Sequence, residues 1–169
     1  VGNVCGFHTL PRTICVASPP LPAFPLAPTP ICQGAQVTTD NTSTSPNSCS
    51  TRYLWSTTVN SPACGSTPVA TFSGGTNAGT FEPQLTLAGA GNYTVHMQAI
   101  NACGTFPVSQ SVSVGAPPQV ALNAISGICE GQSISPTAMF SACGTPITGY
   151  WWSTPGGNPT NSTSQVPGA

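Results

Sequence analysis

Cysteine is the side chain of this sequence with the most chemistry to offer. Eight occur, the nearest two are Cys5 and Cys15, and there is no CxxC pair. Structural zinc sites draw their ligands from close pairs. These thiols therefore read as disulfide formers, which implies an oxidising compartment. Other chemistry is thinly supplied. Asp40 and Glu82 are the only acids between residues 19 and 115, one in a turn-like stretch and one beside a proline. Glycoside hydrolysis needs two carboxylates at one site and calcium needs several, so both read as solvated surface groups. His8 and His96 lie far apart in the chain, with His96 on the outward face of a strand. No nucleophile elbow, phosphate loop or HExxH motif occurs. We assign no catalytic residue, no metal ligand and no cofactor, and expect a protein that is not an enzyme.

Charge excludes further classes. Only 3% of the residues are charged, namely Arg12, Arg52, Asp40, Glu82 and Glu130, with no lysine and a net charge of −1. Such a chain has no basic patch for nucleic acid and no polybasic segment for a membrane surface. No run of 18 apolar residues is present, so no membrane-spanning segment is expected. The 38% hydrophobic content and three tryptophans argue for a folded core, not a Ser/Thr/Pro linker. Solubility then rests on neutral Ser, Thr, Asn and Gly, which suits an extracellular surface.

The elements that must position these side chains are legible around Gly89–Gly104. Tyr93, Val95, Met97 and Ala99 alternate with Thr94, His96 and Gln98, the period-two pattern of a strand with one face in a core. Asn101-Ala102-Cys103-Gly104 reads as a turn into a second strand that ends before Pro117-Pro118. The hairpin recurs. Asn3-Val4-Cys5-Gly6 through Pro19-Pro20 matches Asn101 through Pro118 at an offset of 98. Likewise Ile31-Cys32-Gln33-Gly34 returns as Ile128-Cys129-Glu130-Gly131 at an offset of 97, and Trp55 as Trp152. The chain thus reads as a window on tandem repeats of about 100 residues. Residues 1–18 are the closing hairpin of one repeat, 19–115 a complete repeat and 116–169 the first part of the next. No signal peptide stands at Val1, so an interior fragment of a longer exported polypeptide is expected.

Within the complete repeat, proline-dense Ser18 to Pro30 reads as a linker running into an edge strand near Ala23–Ala27. Ile31-Cys32-x-Gly34 turns into a second strand, and a polar loop holding Cys49 leads to a third, Arg52–Thr57. Residues 67–73 and 80–88 supply two more before the hairpin. About seven short strands without helical periodicity predict an all-β, antiparallel Ig-like sandwich. Trp55, Trp152, Tyr93, Val95 and Met97 head the expected core, with Tyr93 placed like a tyrosine corner. Trp151, next to Trp152 and so on the opposite face of its strand, is the one candidate for a binding aromatic. Asn41-Thr42-Ser43, Asn92-Tyr93-Thr94 and Asn161-Ser162-Thr163 are formal glycosylation sequons, of a kind that arises by chance in so Asn- and Ser/Thr-rich a chain.

This topology predicts cysteine pairing. The loops carrying Cys49 and Cys103 fall at one end of a sandwich, so these two are expected to bond. Cys32 lies at the opposite end, where Cys64 is its expected partner. The preceding repeat has Cys15 where the complete one has Ser113, as if one cysteine migrates between two places while serving one partner. Cys5, Cys15, Cys129 and Cys143 are then left without partners inside their own repeats. The rival pairings are Cys32–Cys103 with Cys49–Cys64, or a Cys15–Cys32 bridge between neighbouring repeats.

Ile128 to Ala138, Cys143-Gly144 through Tyr150-Trp151-Trp152, and Gly91-Asn92-Tyr93-Thr94-Val95 followed by Asn101-Ala102-Cys103-Gly104 resemble the PKD-like and Ig-like repeats of giant Bacteroidetes surface proteins. The resemblance covers nearly the whole chain. It departs at Thr154-Pro155-Gly156-Gly157, where typical PKD domains have an Asp-rich loop. The resemblance implies tandem disulfide-bonded β-sandwiches, export by the type IX secretion machinery and a place in a gliding adhesin of the SprB type on the bacterial cell surface. The expected function is a stalk that spaces a functional tip from the cell, with neighbouring repeats as its partners. A module that binds surface glycans or associates with itself, or accessory repeats of a secreted enzyme, are the alternatives.

Overall fold

The computed structural model of the chain describes residues 1–27, 30–45 and 49–167. Pro28 of the proline-rich stretch, and residues 46–48 of the polar loop before Cys49, lie outside them. Every regular element among the described residues is a strand. Two short strands open the chain, β1 (Gly2–Asn3) and β2 (Gly6–Phe7). The next eight are β3 (Leu26–Ala27), β4 (Ile31–Cys32), β5 (Gln36–Thr39), β6 (Arg52–Pro62), β7 (Val69–Ser73), β8 (Gln84–Ala88), β9 (Gly91–Asn101) and β10 (Gly104–Gly115). The last four are β11 (Gln119–Leu122), β12 (Ala138–Ser141), β13 (Trp152–Ser153) and β14 (Asn161–Ser162).

Residues 26–115 build two four-stranded sheets, ordered β4-β10-β9-β6 and β3-β5-β8-β7. All pairings are antiparallel except β4 on β10, which is parallel. The long hairpin β9–β10 keeps a continuous register from Gly104 opposite Asn101 to Val114 opposite Gly91. It is closed as its sequence demands, with the Asn101 carboxamide oxygen accepting the Cys103 amide at 2.8 Å. The copy of this turn at the N-terminus closes the same way, the Asn3 side chain accepting the Cys5 amide at 2.9 Å.

The two sheets share one apolar cluster. Trp55, Tyr93, Val95, Met97, Ile31 and Val114 enter it from one sheet, and Val37, Leu85 and Leu87 from the other, with Phe24 at the edge. The expected alternation in β9 holds, since Tyr93, Val95, Met97 and Ala99 are all buried. Each such aliphatic side chain removed from water contributes about 1.5–3 kcal/mol. Phe24 meets Trp55 edge-on with ring centroids 4.9 Å apart. The Tyr93 hydroxyl lies 2.6 Å from the Ala88 carbonyl and 2.8 Å from that of Gly89, tying β9 to the preceding turn. Burial pushes its phenol up, an effect only partly offset by a backbone hydrogen bond. Gly89 itself has φ +84°, and a Cβ there would stand 2.8 Å from the Thr67 carbonyl oxygen, so the turn has no room for another residue.

Outside the sandwich-like body, pairing is local. Residues 1–16 are exposed, and β1–β2 pairs only two residues on each side. Residues 119–162 form two separate ribbons, β11–β12 and β13–β14. Here the expectation for Trp152 needs correction. It is half-buried, packing on Phe140 (centroids 6.3 Å apart), because no second sheet covers its ribbon among the described residues. Its indole N–H donates instead to the Ser164 carbonyl at 2.9 Å.

Candidate functional site

The groups considered for acid–base chemistry do not assemble into a site. Asp40 and Glu82 are exposed, and a Glu82 carboxylate oxygen accepts the Asn41 amide at 3.3 Å, a contact that ties two loops together. His8 is exposed near the N-terminus. His96 lies on the outer face of β9, with its ring nitrogens 2.9 Å from the Thr58 hydroxyl and 2.8 Å from that of Ser109. Among the described residues, no three His, Cys, Asp or Glu side chains gather to hold a metal ion.

What the fold does bring together is cysteine. Cys15 is bonded to Cys49, and Cys64 to Cys143, with Cα separations of 5.7 and 5.1 Å. Both expected pairs, Cys49–Cys103 and Cys32–Cys64, are therefore corrected. Cys49 and Cys64 do form bridges, but each to a cysteine outside residues 19–115. Cys32 and Cys103 carry free, exposed thiols, as do Cys5 and Cys129. The physical reason lies at the two ends of the sandwich, where the adjoining segments fold back over the loops and supply nearer partners. At one end the Asn101 side chain donates to the Ser18 carbonyl at 2.8 Å, and Cys103 Sγ lies 3.2 Å from the Ala17 carbonyl. Cys49 and Cys103 do approach the same short stretch, but Cys15 holds the Cys49 sulfur. At the other end the Ala116 amide donates to the Cys143 carbonyl at 2.9 Å, and Ser113 Oγ lies 3.2 Å from the Gly144 carbonyl.

The second junction is tightly built. Cys143 is buried and the Ser141 hydroxyl lies 3.0 Å from Cys64 Sγ. Cys64 and Cys143 have φ of 50° and 49°, the left-handed region that non-glycine residues seldom enter. Each stands in the same tripeptide, Ala63-Cys64-Gly65 and Ala142-Cys143-Gly144, and each tripeptide closes the same turn. The Ser66 amide donates to the Ala63 carbonyl at 3.0 Å, and the Thr145 amide to the Ala142 carbonyl at 3.2 Å. Two matching turns thus face each other through one disulfide. The tripeptide also stands at Ala102-Cys103-Gly104, where the cysteine is free, so sequence alone does not single out this pairing.

Trp151 is 70% exposed. With Tyr150, Phe140, Val120, Leu122 and Ile147 it lines an open cleft of about 360 Å³. Phe140 and Tyr150 meet edge-on at 4.9 Å. An exposed indole lining an apolar cleft is able to stack on a flat apolar group such as a sugar ring. No helix among the described residues is long and apolar enough to cross a membrane. Comparison with protein-family models, with curated proteins and with solved structures finds no match to this chain.

Proposed function

We propose that this chain is a structural segment of a large secreted surface protein, built of Ig-like or PKD-like repeats and serving as the stalk of an adhesin. Residues 19–115 are one repeat, and 1–18 and 116–169 belong to its neighbours. The observation that carries the reading is that each neighbour is bridged to the central sandwich by a disulfide, Cys15–Cys49 on one side and Cys64–Cys143 on the other. Bridges across successive units suit a protein that must keep its length and order outside the cell, where disulfides persist. The nearly uncharged surface and the resemblance to Bacteroidetes repeats support a bacterial cell-surface location, with type IX export and a role in attachment or gliding. The chain is on this reading not an enzyme.

A glycan-binding role is the second reading, favoured by the exposure of Trp151 above its cleft. The test has two arms. Antibody raised against the chain should label intact cells that produce it, and failure to label them overturns the surface reading. The purified chain should show no retention on a glycan array. Retention that disappears in Trp151→Ala moves the function from spacer to binding module.

A further inference from the structure

A covalent path runs through this molecule that skips most of it. It passes from Cys15 across to Cys49, along the backbone to Cys64 and across to Cys143. The backbone it uses, residues 49 to 64, is little more than β6, Arg52–Pro62. The bridged spans, with sequence separations of 34 and 79, hold β3, β4 and β5 in one loop and β7 through β12 in the other. Seven of the eight strands of the two large sheets therefore lie off the path.

We propose that the chain is a force-carrying cable, in which tension between the two neighbouring units runs through β6 and the two bridges while the rest of the sandwich bears none. A strand rises about 3.2–3.4 Å per residue, close to the roughly 3.3–3.6 Å limit of a fully extended chain. β6 thus has almost no slack. Pulling the ends apart cannot unravel residues 16–48 or 65–142, because each span is closed on itself by a covalent bond. In an ordinary sandwich the same pull would be resisted only by the unfolding barrier, which sets the rate of forced unfolding.

Which cysteine faces the loop cysteine decides how much is shielded. Cys49 and Cys143 occupy corresponding loops, at an offset of 94, but their partners differ. Cys15 corresponds to Ser113, and the Ser113 hydroxyl lies 3.2 Å from the carbonyl of Gly144, the residue after Cys143. Position 113 thus lies beside the loop whose cysteine is bonded to Cys64. A bridge from position 113 would put β6, β7, β8, β9 and nearly all of β10 on the path. A bridge from Cys64 leaves only β6. The biological use of such a cable rests on the stalk reading, but its mechanics does not.

Reduction makes the cable extensible. Two equivalents of a small-molecule thiol reduce one bridge by thiol–disulfide exchange, giving two cysteine thiols and one small-molecule disulfide. At ~3.5 Å per residue, opening the two loops frees about 120 Å and about 280 Å of chain. The test is single-molecule pulling of the full chain from its two ends, after non-reducing peptide mapping has verified both bridges. Without reductant we expect only the short extensions of the end segments outside the bridges. With dithiothreitol we expect the two long releases. The rerouted variant Cys64→Ser with Ser113→Cys should unfold without reductant, freeing about 170 Å from residues 64–113, since β6 is already extended. If that bridge does not form, Cys64→Ser with Cys143→Ser should likewise show releases above about 200 Å without reductant. A release of that size in the oxidised parent, or the same silent trace in both variants, overturns the proposal, as does a different bridge pattern on mapping. Cell-surface labelling and glycan retention remain separate readouts, so the cable and the stalk reading can fail independently.

Discussion

Replacing Cys64 and Cys143 together by alanine removes one bridge and leaves the rest of the junction in place. The loop it closes spans a sequence separation of 79, for which the chain-entropy relation gives about 4.5 kcal/mol at 25 °C. Alanine and cysteine meet the same resistance to the left-handed φ of 50° and 49°, so the backbone penalty cancels between parent and variant. A loss of about 4.5 kcal/mol is large against the roughly 5–15 kcal/mol total of an ordinary domain. It corresponds to a fall in Tm of about 9–18 °C for a chain of this size. The assay is urea unfolding under non-reducing conditions, followed by tryptophan fluorescence in a background with Trp151 and Trp152 replaced by phenylalanine, so that Trp55 alone reports. The midpoint should fall and the m-value should rise, because the unfolded chain loses a constraint and exposes more surface. The matching variant Cys15→Ala with Cys49→Ala opens a separation of 34 and should cost about 3.8 kcal/mol. A loss below about 1 kcal/mol for the Cys64–Cys143 pair, the size of a single hydrogen bond, would refute the idea that this bridge constrains the sandwich.

Trp55→Ala should cost about 3–5 kcal/mol in the same assay, read by circular dichroism, since the indole is buried against Phe24. Trp151→Ala should change stability by less than about 0.5 kcal/mol, because the side chain is 70% exposed. Tyr93→Phe should lose about 1 kcal/mol with the hydrogen bonds to the Ala88 and Gly89 carbonyls. The raised phenol pKa of Tyr93 means that the folded state holds its proton more tightly than the unfolded chain. Its stabilisation is full below the ordinary tyrosine pKa of about 10 and is lost as pH rises through the folded value. Tyr93→Phe should remove that alkaline component from the pH–stability curve. Gly89→Ala should destabilise by about 1–3 kcal/mol, since φ is +84° and the new methyl would meet the Thr67 carbonyl.

Local pattern carried most of the central fold. The alternation through Tyr93, Val95, Met97 and Ala99 is a property of neighbouring residues in a strand, and all four are buried. The Asn101 turn and its copy at Asn3 close through side chain and backbone two residues apart, so the sequence alone specifies them. The same is true of the Ile-Cys-x-Gly turns, where the Ala35 amide donates to the Cys32 carbonyl and the Gln132 amide to that of Cys129. Trp55 and Trp152 share their local sequence but not their burial. Trp55 lies under a second sheet, whereas Trp152 sits in a two-residue ribbon with Phe140 beside it and stays half-buried.

Cysteine pairing is where tertiary structure decided. A disulfide requires Cα atoms within about 4.4–6.8 Å, and that proximity depends on how distant segments cross at the ends of the sheets. Strand order placed Cys49 with Cys103, and Cys32 with Cys64, by treating residues 19–115 as closed on themselves. In the folded chain, residues 15–18 and 141–145 meet those ends, and Cys15 and Cys143 reach Cα separations of 5.7 and 5.1 Å from Cys49 and Cys64. The period-two pattern determines which face of a strand is buried, but it holds no information about which neighbouring segment covers the end of a sheet.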